Sequence, residues 1–298
     1  MQKITNTALS VALAVASLSA CTSATTTSSS QCEATPTETQ ILAPAETSVW
    51  VSLTVAEGKR LIAKGITEYA PVRNAMENAA VIITRGSTNH YILEEFFGTE
   101  IENGSFQTGK IIPKGKEAHK VYTIKKEYLY QKGKLTEIQD LEKALSALPK
   151  GSVVFKGGNI LNHDAGVAAV LIGHPTGGTI GMIDKVLSDN IKLIVPIGLE
   201  KNSSVNMDFM AQNFSTKQDA APAVHILNGT PFTEIEAIKS VADVEVFQYA
   251  AGGVDGAEGG VSLLIRGTAE QVAKATEFID GVYGEAPFYS DNVKTSTW

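Results

Sequence analysis

Ala79-Ala80-Val81-Ile82-Ile83-Thr84-Arg85-Gly86-Ser87-Thr88 (residues 79–88) decides the fold class: an unbroken apolar run, a glycine turn, then two hydroxyl side chains. An apolar run of this length, bounded by turn chemistry, reads as a strand buried on both faces. Beyond it Tyr91, Ile92, Leu93, Phe96 and Phe97 recur at helical spacing. The unit is strand, glycine turn, helix.

The same grammar repeats on either side. Upstream, Leu61, Ile62 and Ile66 form the apolar stripe of a helix expected over 55–70. Downstream, alternation through Tyr128-Leu129-Tyr130 with Lys132-Gly133 as turn chemistry predicts short strands or a hairpin over 101–135, and 140–148 reads as a helix. Further buried strands are expected at Ser152–Phe155, Val167–Ile172 and Ile191–Pro196, with a helix at Met182–Leu187. Apolar strands alternating with helices imply an α/β fold: a mostly parallel sheet with helices on both faces. From Ala223 the order strand, helix, strand, strand, helix predicts a smaller C-terminal ferredoxin-like α+β layer.

The amino terminus has a different composition. Lys3, then Val, Ala and Leu from Leu9 to Leu18, has the charge and short apolar core of an export signal. Leu18-Ser19-Ala20-Cys21 resembles the bacterial lipobox, which implies cleavage after residue 20 and acylation, palmitate included, of Cys21. Thr22, where an Asp would retain the protein at the inner membrane, makes the outer membrane the expected destination in a two-membrane cell. Residues 22–48 are rich in Ser, Thr, Ala and Pro and too poor in apolar groups to offset ordering entropy. The expected organisation is therefore a signal peptide (1–20), a tether (21–48), an α/β domain (49–215) and the α+β layer (216–298).

Of 298 residues 43% are hydrophobic and 19% charged, the ordinary balance of a globular protein, and the net charge of -7 argues against nucleic-acid binding. The only expected membrane contact is the N-terminal lipid. With 2 Cys there is no disulfide framework, and 5 scattered His with no His-x-x-x-His pair give no metal site. No cofactor is expected, and the oligomeric state is left open.

Three glycine-rich loops follow expected strands, where ligands gather in open α/β sheets. In the first, Arg85 adds charge while Gly86, Ser87 and Thr88 present amides and hydroxyls to an anion at a helix start, although the same residues also make an ordinary N-cap. The second, Lys156-Gly157-Gly158-Asn159 running on to His163-Asp164, places an amine, amides and a carboxylate in one turn region. The third, His174-Pro175-Thr176-Gly177-Gly178-Thr179, precedes a helix of its own. Lys156, Asp164 and His174 are the candidate catalytic groups; Arg85, Gly86, Ser87, Thr88, Gly157, Gly158, Asn159, Thr176, Gly177, Gly178 and Thr179 are the candidate ligand contacts.

In this order the loops resemble those of the ribose-5-phosphate isomerase, glucosamine-6-phosphate deaminase and CoA-transferase superfamily. Gly86-Ser87-Thr88 matches the end of its phosphate-holding loop, Asn159 and Asp164 lie where it has acidic residues, and Gly177-Gly178 where it has a glycine run. Ile194-Val195-Pro196 followed by Glu200-Lys201 is similar to a further strand ending in a lysine. The resemblance spans about Val55 to Lys201. It implies the fold and an anionic or polyhydroxy ligand; His174-Pro175-Thr176 stands where the isomerases carry a lysine, so their reaction does not follow. Three functions stay open: a ligand-binding lipoprotein, an isomerase- or transferase-type enzyme, and a surface interaction protein.

Overall fold

The computed structural model describes residues 42, 44–98, 100–109, 111, 123–173, 177–188, 190–214 and 222–288, and the account below concerns the unit from Pro44 onward. The leader, Cys21, most of the tether, part of the 101–135 stretch, His174 and Thr176 lie outside the described residues.

The unit is a mixed α/β body, opening with β1 (Thr47–Leu53), whose Val51 and Leu53 face inward and Ser48 and Trp50 outward. Residues 47 and 48, expected in the tether, are already strand. Thr54 and Glu57 then close a reciprocal capping box, satisfying two orphan amides of α1 (Val55–Glu68). Tyr69 ends the expected helix, and a second, unexpected one, α2 (Ala70–Asn78), starts at once with Pro71 in its first turn.

The opening motif folds as read. β2 (Ala80–Ile83) is wholly buried, and α3 (Ser87–Phe97) ends at Gly98, whose φ of 69° is the left-handed turn glycine adopts without penalty. The expected hairpin is β3 (Tyr128–Gln131) and β4 (Lys134–Glu137), turning through Lys132 and Gly133 at φ 53° and 71°, both positive as a tight two-residue hairpin turn requires. The short α4 (Leu141–Ser146), capped by Asp140, leads to β5 (Ser152–Phe155).

After β5 the chain departs from expectation. β6 (Ile160–Asn162) and β7 (Val167–Ile172) form an antiparallel hairpin outside the main sheet. A parallel return needs a crossover of a dozen or more residues, and only 156–166, part of it strand, separate β5 from β7. Then come α5 (Thr179–Ile183), earlier and shorter than expected, β8 (Ile191–Pro196), a 3-10 turn at Leu199–Lys201, and α6 (Met207–Asn213). The chain finishes with β9 (Ala223–Ile226), β10 (Thr230–Phe232), α7 (Glu234–Val241), β11 (Glu245–Ala251), β12 (Val261–Gly267) and α8 (Ala269–Asp280).

Six strands make a mixed sheet in the order β10-β8-β5-β2-β3-β4, the first four mutually parallel. β6-β7-β9 and β1-β12-β11 are separate antiparallel sheets. The strands after residue 216 thus divide among all three sheets, because β9 pairs with β7, β10 with β8 and β12 with β1.

One core cluster runs through β2, β5 and β8 and the inner faces of α1, α7 and α8, with Ile82, Ile83, Phe155, Leu61 and Ile238 fully buried. Burial of side chains of this kind contributes about 1.5–3 kcal/mol each. α1 and α7 meet at Gly65, where a Cβ would stand 2.5 Å from Ala237 Cα.

Candidate functional site

The parallel strands share one carboxyl rim. β2 and β5 are adjacent, with Ile83 opposite Phe155, so the loops at Thr84-Arg85-Gly86 and Lys156-Gly157-Gly158 leave the sheet side by side. Thr84 fastens them, its Oγ1 donating to Phe155 O at 2.7 Å, and buried Asn89 adds a bond from Nδ2 to Thr84 O at 2.8 Å. β8 and β10 end beside them, leading to Gly198-Leu199-Glu200-Lys201 and Thr233-Glu234.

Three lysines converge on this rim. Lys156 Nζ donates to Gly157 O at 3.3 Å and Lys201 Nζ to Gly158 O at 3.1 Å, so two ammonium groups rest on consecutive carbonyls. Lys59 arrives from the first turns of α1 and is only 8% exposed. Its ammonium makes no hydrogen bond among the described residues; the Phe288 ring lies over it, with Nζ 5.6 Å from the centroid. Burial, then the charge of Lys201, pushes Lys59 and Lys156 each down to about 8.

Two carboxylates complete the group. Glu200 lies 3.9 Å from Lys201 Nζ. Glu234, 2% exposed at the first position of α7, accepts the Leu199 amide at 2.9 Å and packs its other oxygen against Gly58, where even a Cβ would stand only 2.5 Å away. Burial and the neighbouring Glu200 charge push its carboxyl well above the usual range. With Glu234 protonated, three amines face one carboxylate. The rim carries an excess of positive charge within an acidic protein.

The first loop is used differently from its expectation. Arg85 Nε donates to buried Glu127 at 3.0 Å, and the Gly86 amide is taken by Phe106 O at 3.0 Å. Gly86 begins α3 with no side-chain cap, leaving the following amides at Ser87 and Thr88 as the free start of the helix. In the second loop, Gly158 sits against Ile197 Cδ1, with 2.8 Å for a Cβ, and Asn159 locks onto β7 through its amide to Ala169 O and its Oδ1 from the Leu171 amide.

Asp164 lies in the exposed turn between β6 and β7, separated from Lys156 by the length of β6. Its neighbour His163 bonds Glu236 at 3.3 Å; that contact raises the imidazole pKa and ties the hairpin to α7. Gly177 and Gly178 turn at φ 72° and 54°, and the nearest atoms to a Cβ at Gly177 belong to Gly181 and Ile180 of α5. Thr179 opens α5, whose C-cap Asp184 contacts His225 Nε2 of β9 at 2.9 Å. The first two loops therefore meet at the rim, while the third is tied to the side of the small sheet.

Sequence reasoning named Lys156 and missed Lys59, Glu200, Lys201 and Glu234 as a group. A signal for Lys59 existed: it stands three before Ile62 and seven before Ile66, on the apolar stripe itself. Glu234 gave none, since a Glu in the first helical turn is an ordinary complement to the helix dipole.

A separate hollow of about 140 Å³ opens at the amino ends of β5 and β8 beside Asn74, Lys150, Asn190 and Lys192. It lies at the opposite ends of the strands from Lys156, and its lysines are exposed. Among the described residues no group of three His, Cys, Asp or Glu is placed to hold a metal ion, and no helix is long and apolar enough to cross a membrane. Compared with models of known protein families, with curated proteins and with solved structures, the chain finds no match.

Proposed function

We propose that this chain is an exported lipoprotein, anchored to the cell envelope through Cys21, whose body binds a small anionic ligand at the carboxyl rim of its parallel strands. The observation that carries the reading is Lys59: an ammonium removed from water, with three donors and no acceptor among the described residues, beside Lys201 and on the rim that also carries Lys156. An unpaired buried charge costs several kcal/mol, and an anion bound between the amines would repay it. In this reading the six-stranded sheet is an isomerase/CoA-transferase-like core with helices on both faces. β11, β12, α7 and α8 are its smaller ferredoxin-like layer, borrowing β1. Lys59, Lys156 and Lys201 hold the anion, with the Ser87 and Thr88 amides as secondary donors.

Titration of the full chain with inorganic phosphate against chloride at matched ionic strength tests this by thermal unfolding. Saturation at a hundredfold over Kd stabilises by about 2.7 kcal/mol, and Lys59→Met is expected to remove the response. A response equal to that of chloride, or one untouched by Lys59→Met, refutes the site. Palmitate incorporation that disappears in Cys21→Ala tests the anchor.

An enzymatic reading is favoured by Glu234, whose buried carboxyl holds its proton near neutral pH beside amines whose hold on theirs is weakened. It moves the acid–base role from Asp164 and His174 to Glu234 and Lys156. The interaction-protein reading has one supporting feature, the exposed Trp50 and Tyr249 on the sheet of β1 and β11.

A further inference from the structure

Within the rim the three amines are not equivalent. Lys201 is paired, though loosely, with Glu200 at 3.9 Å, and Lys59 is buried beneath Phe288. Lys156 is only half-buried at the end of the central strand β5, so a solute can reach it. Its one hydrogen bond among the described residues is a 3.3 Å contact to the carbonyl of the next residue, and the nearby carboxylate of Glu127 is engaged by Arg85. Lys156 is thus partly exposed and unclaimed, with the Lys201 ammonium beside it and the nearby carboxylate already taken. That setting activates an amine as a nucleophile.

We propose that Lys156 forms an imine with a small α-oxo acid whose carboxylate is gripped by Lys201 and Lys59, an inference that rests on the anion reading above. The carboxylate is required because the neighbouring amines need an anion. The carbonyl belongs beside it because Lys156 and Lys201 are fastened to the carbonyl oxygens of consecutive residues, and the smallest acid that offers both groups is an α-oxo acid.

The neutral amine adds to the carbonyl carbon, and its N–H proton passes through water to the former carbonyl oxygen, giving a carbinolamine. The hydroxyl then takes a proton from solvent and leaves as water, and the nitrogen lone pair closes the C=N bond of a protonated imine. Nothing is oxidised or reduced. Burial and Lys201 supply the reactive form: an amine with a pKa of about 8 is roughly a quarter neutral at pH 7.5, against about 0.1% for an ordinary lysine.

The test incubates the full wild-type chain with pyruvate and cyanoborohydride at pH 7.5, then maps the reduced adduct by peptide mass spectrometry. The expected result is one adduct per chain, on Lys156, forming at least tenfold faster than on exposed Lys185 and suppressed by excess inorganic phosphate. Acetone, which has the carbonyl without the carboxylate, is expected to react at least tenfold more slowly than pyruvate. Adducts spread over lysines according to exposure, an adduct at Lys59 in place of Lys156, or equal rates for acetone and pyruvate overturn the proposal. Phosphate stabilisation is measured in parallel: if it persists without an adduct, the imine fails and the anion site stands. If both are missing, both fail.

Discussion

Arg60 and Glu285, 225 residues apart, are joined by two parallel hydrogen bonds, Nε to Oε2 at 2.8 Å and Nη2 to Oε1 at 3.1 Å. The same guanidinium donates to Glu94 and Glu95 of α3 and lies over the Tyr91 ring, 4.7 Å from its centroid. One side chain of α1 therefore holds α3 and the C-terminal segment that brings Phe288 over Lys59.

Arg60→Ala leaves the largely buried Glu94 without its cation and is expected to destabilise the fold by about 3–5 kcal/mol. Arg60→Lys should recover only part of this, because one ammonium cannot reproduce the fork. Urea unfolding of both variants checks the prediction.

Acid should loosen the same contact. Burial pulls the Glu94 carboxyl up, but the His90 ring 3.4 Å away, the Ile101 amide and Arg60 outweigh it and hold it down to about 2. A lowered folded-state value means stability that is complete above about pH 4.5 and lost as pH falls towards 2. Glu94→Gln, less stable at neutral pH, should therefore converge on the wild type across that window in urea melts.

Lys59→Met is expected to stabilise the protein while abolishing the phosphate response. The folded amine sits at about 8 against 10.5, so the cost of burying its charge is complete below pH 8 and is relieved as pH rises to 10.5. That amounts to about 3 kcal/mol at neutral pH. The advantage of the variant in urea midpoint should shrink steadily across pH 8 to 10.5.

Glu234 reverses that sign. A raised folded-state carboxyl binds a proton that the unfolded chain has already released, so stability falls as pH climbs above about 4.5 until the folded group also ionises. Glu234→Gln should gain on the wild type over that range and then level off, as followed by thermal melts between pH 4 and 9.

Gly65→Ala drives a methyl into Ala237 of α7 and is expected to cost about 1–3 kcal/mol. Gly109→Ala, with nothing within 4 Å of the new Cβ, should stay within about 0.5 kcal/mol of the wild type. A fall of the same size in both would show that the α1–α7 approach is not tight.

β2, β5 and β8 are legible because each is a short apolar run closed by a turn, and the Lys132-Gly133 hairpin because its turn residues announce it, whereas the three-residue β10 carries no such run. β7 was misplaced because a fully apolar strand looks the same in a parallel sheet as in a buried hairpin. β1 goes unread because its serines and threonine share the composition of the tether. At the site, glycine loops were visible as sequence, whereas the meeting of Lys59, Lys201 and Glu234 arises from three segments packing together. No local pattern records that meeting.

The register of Thr47 against Gly267 and Leu53 against Val261 also sets a schedule. The first strand has no partner until more than two hundred further residues have been delivered, roughly 10–40 s at ordinary rates of synthesis. Until then its Val51 and Leu53 side chains wait uncovered, so a nascent chain of this protein is a natural client for a holding chaperone. A stop codon anywhere before residue 261 would strand that first segment permanently.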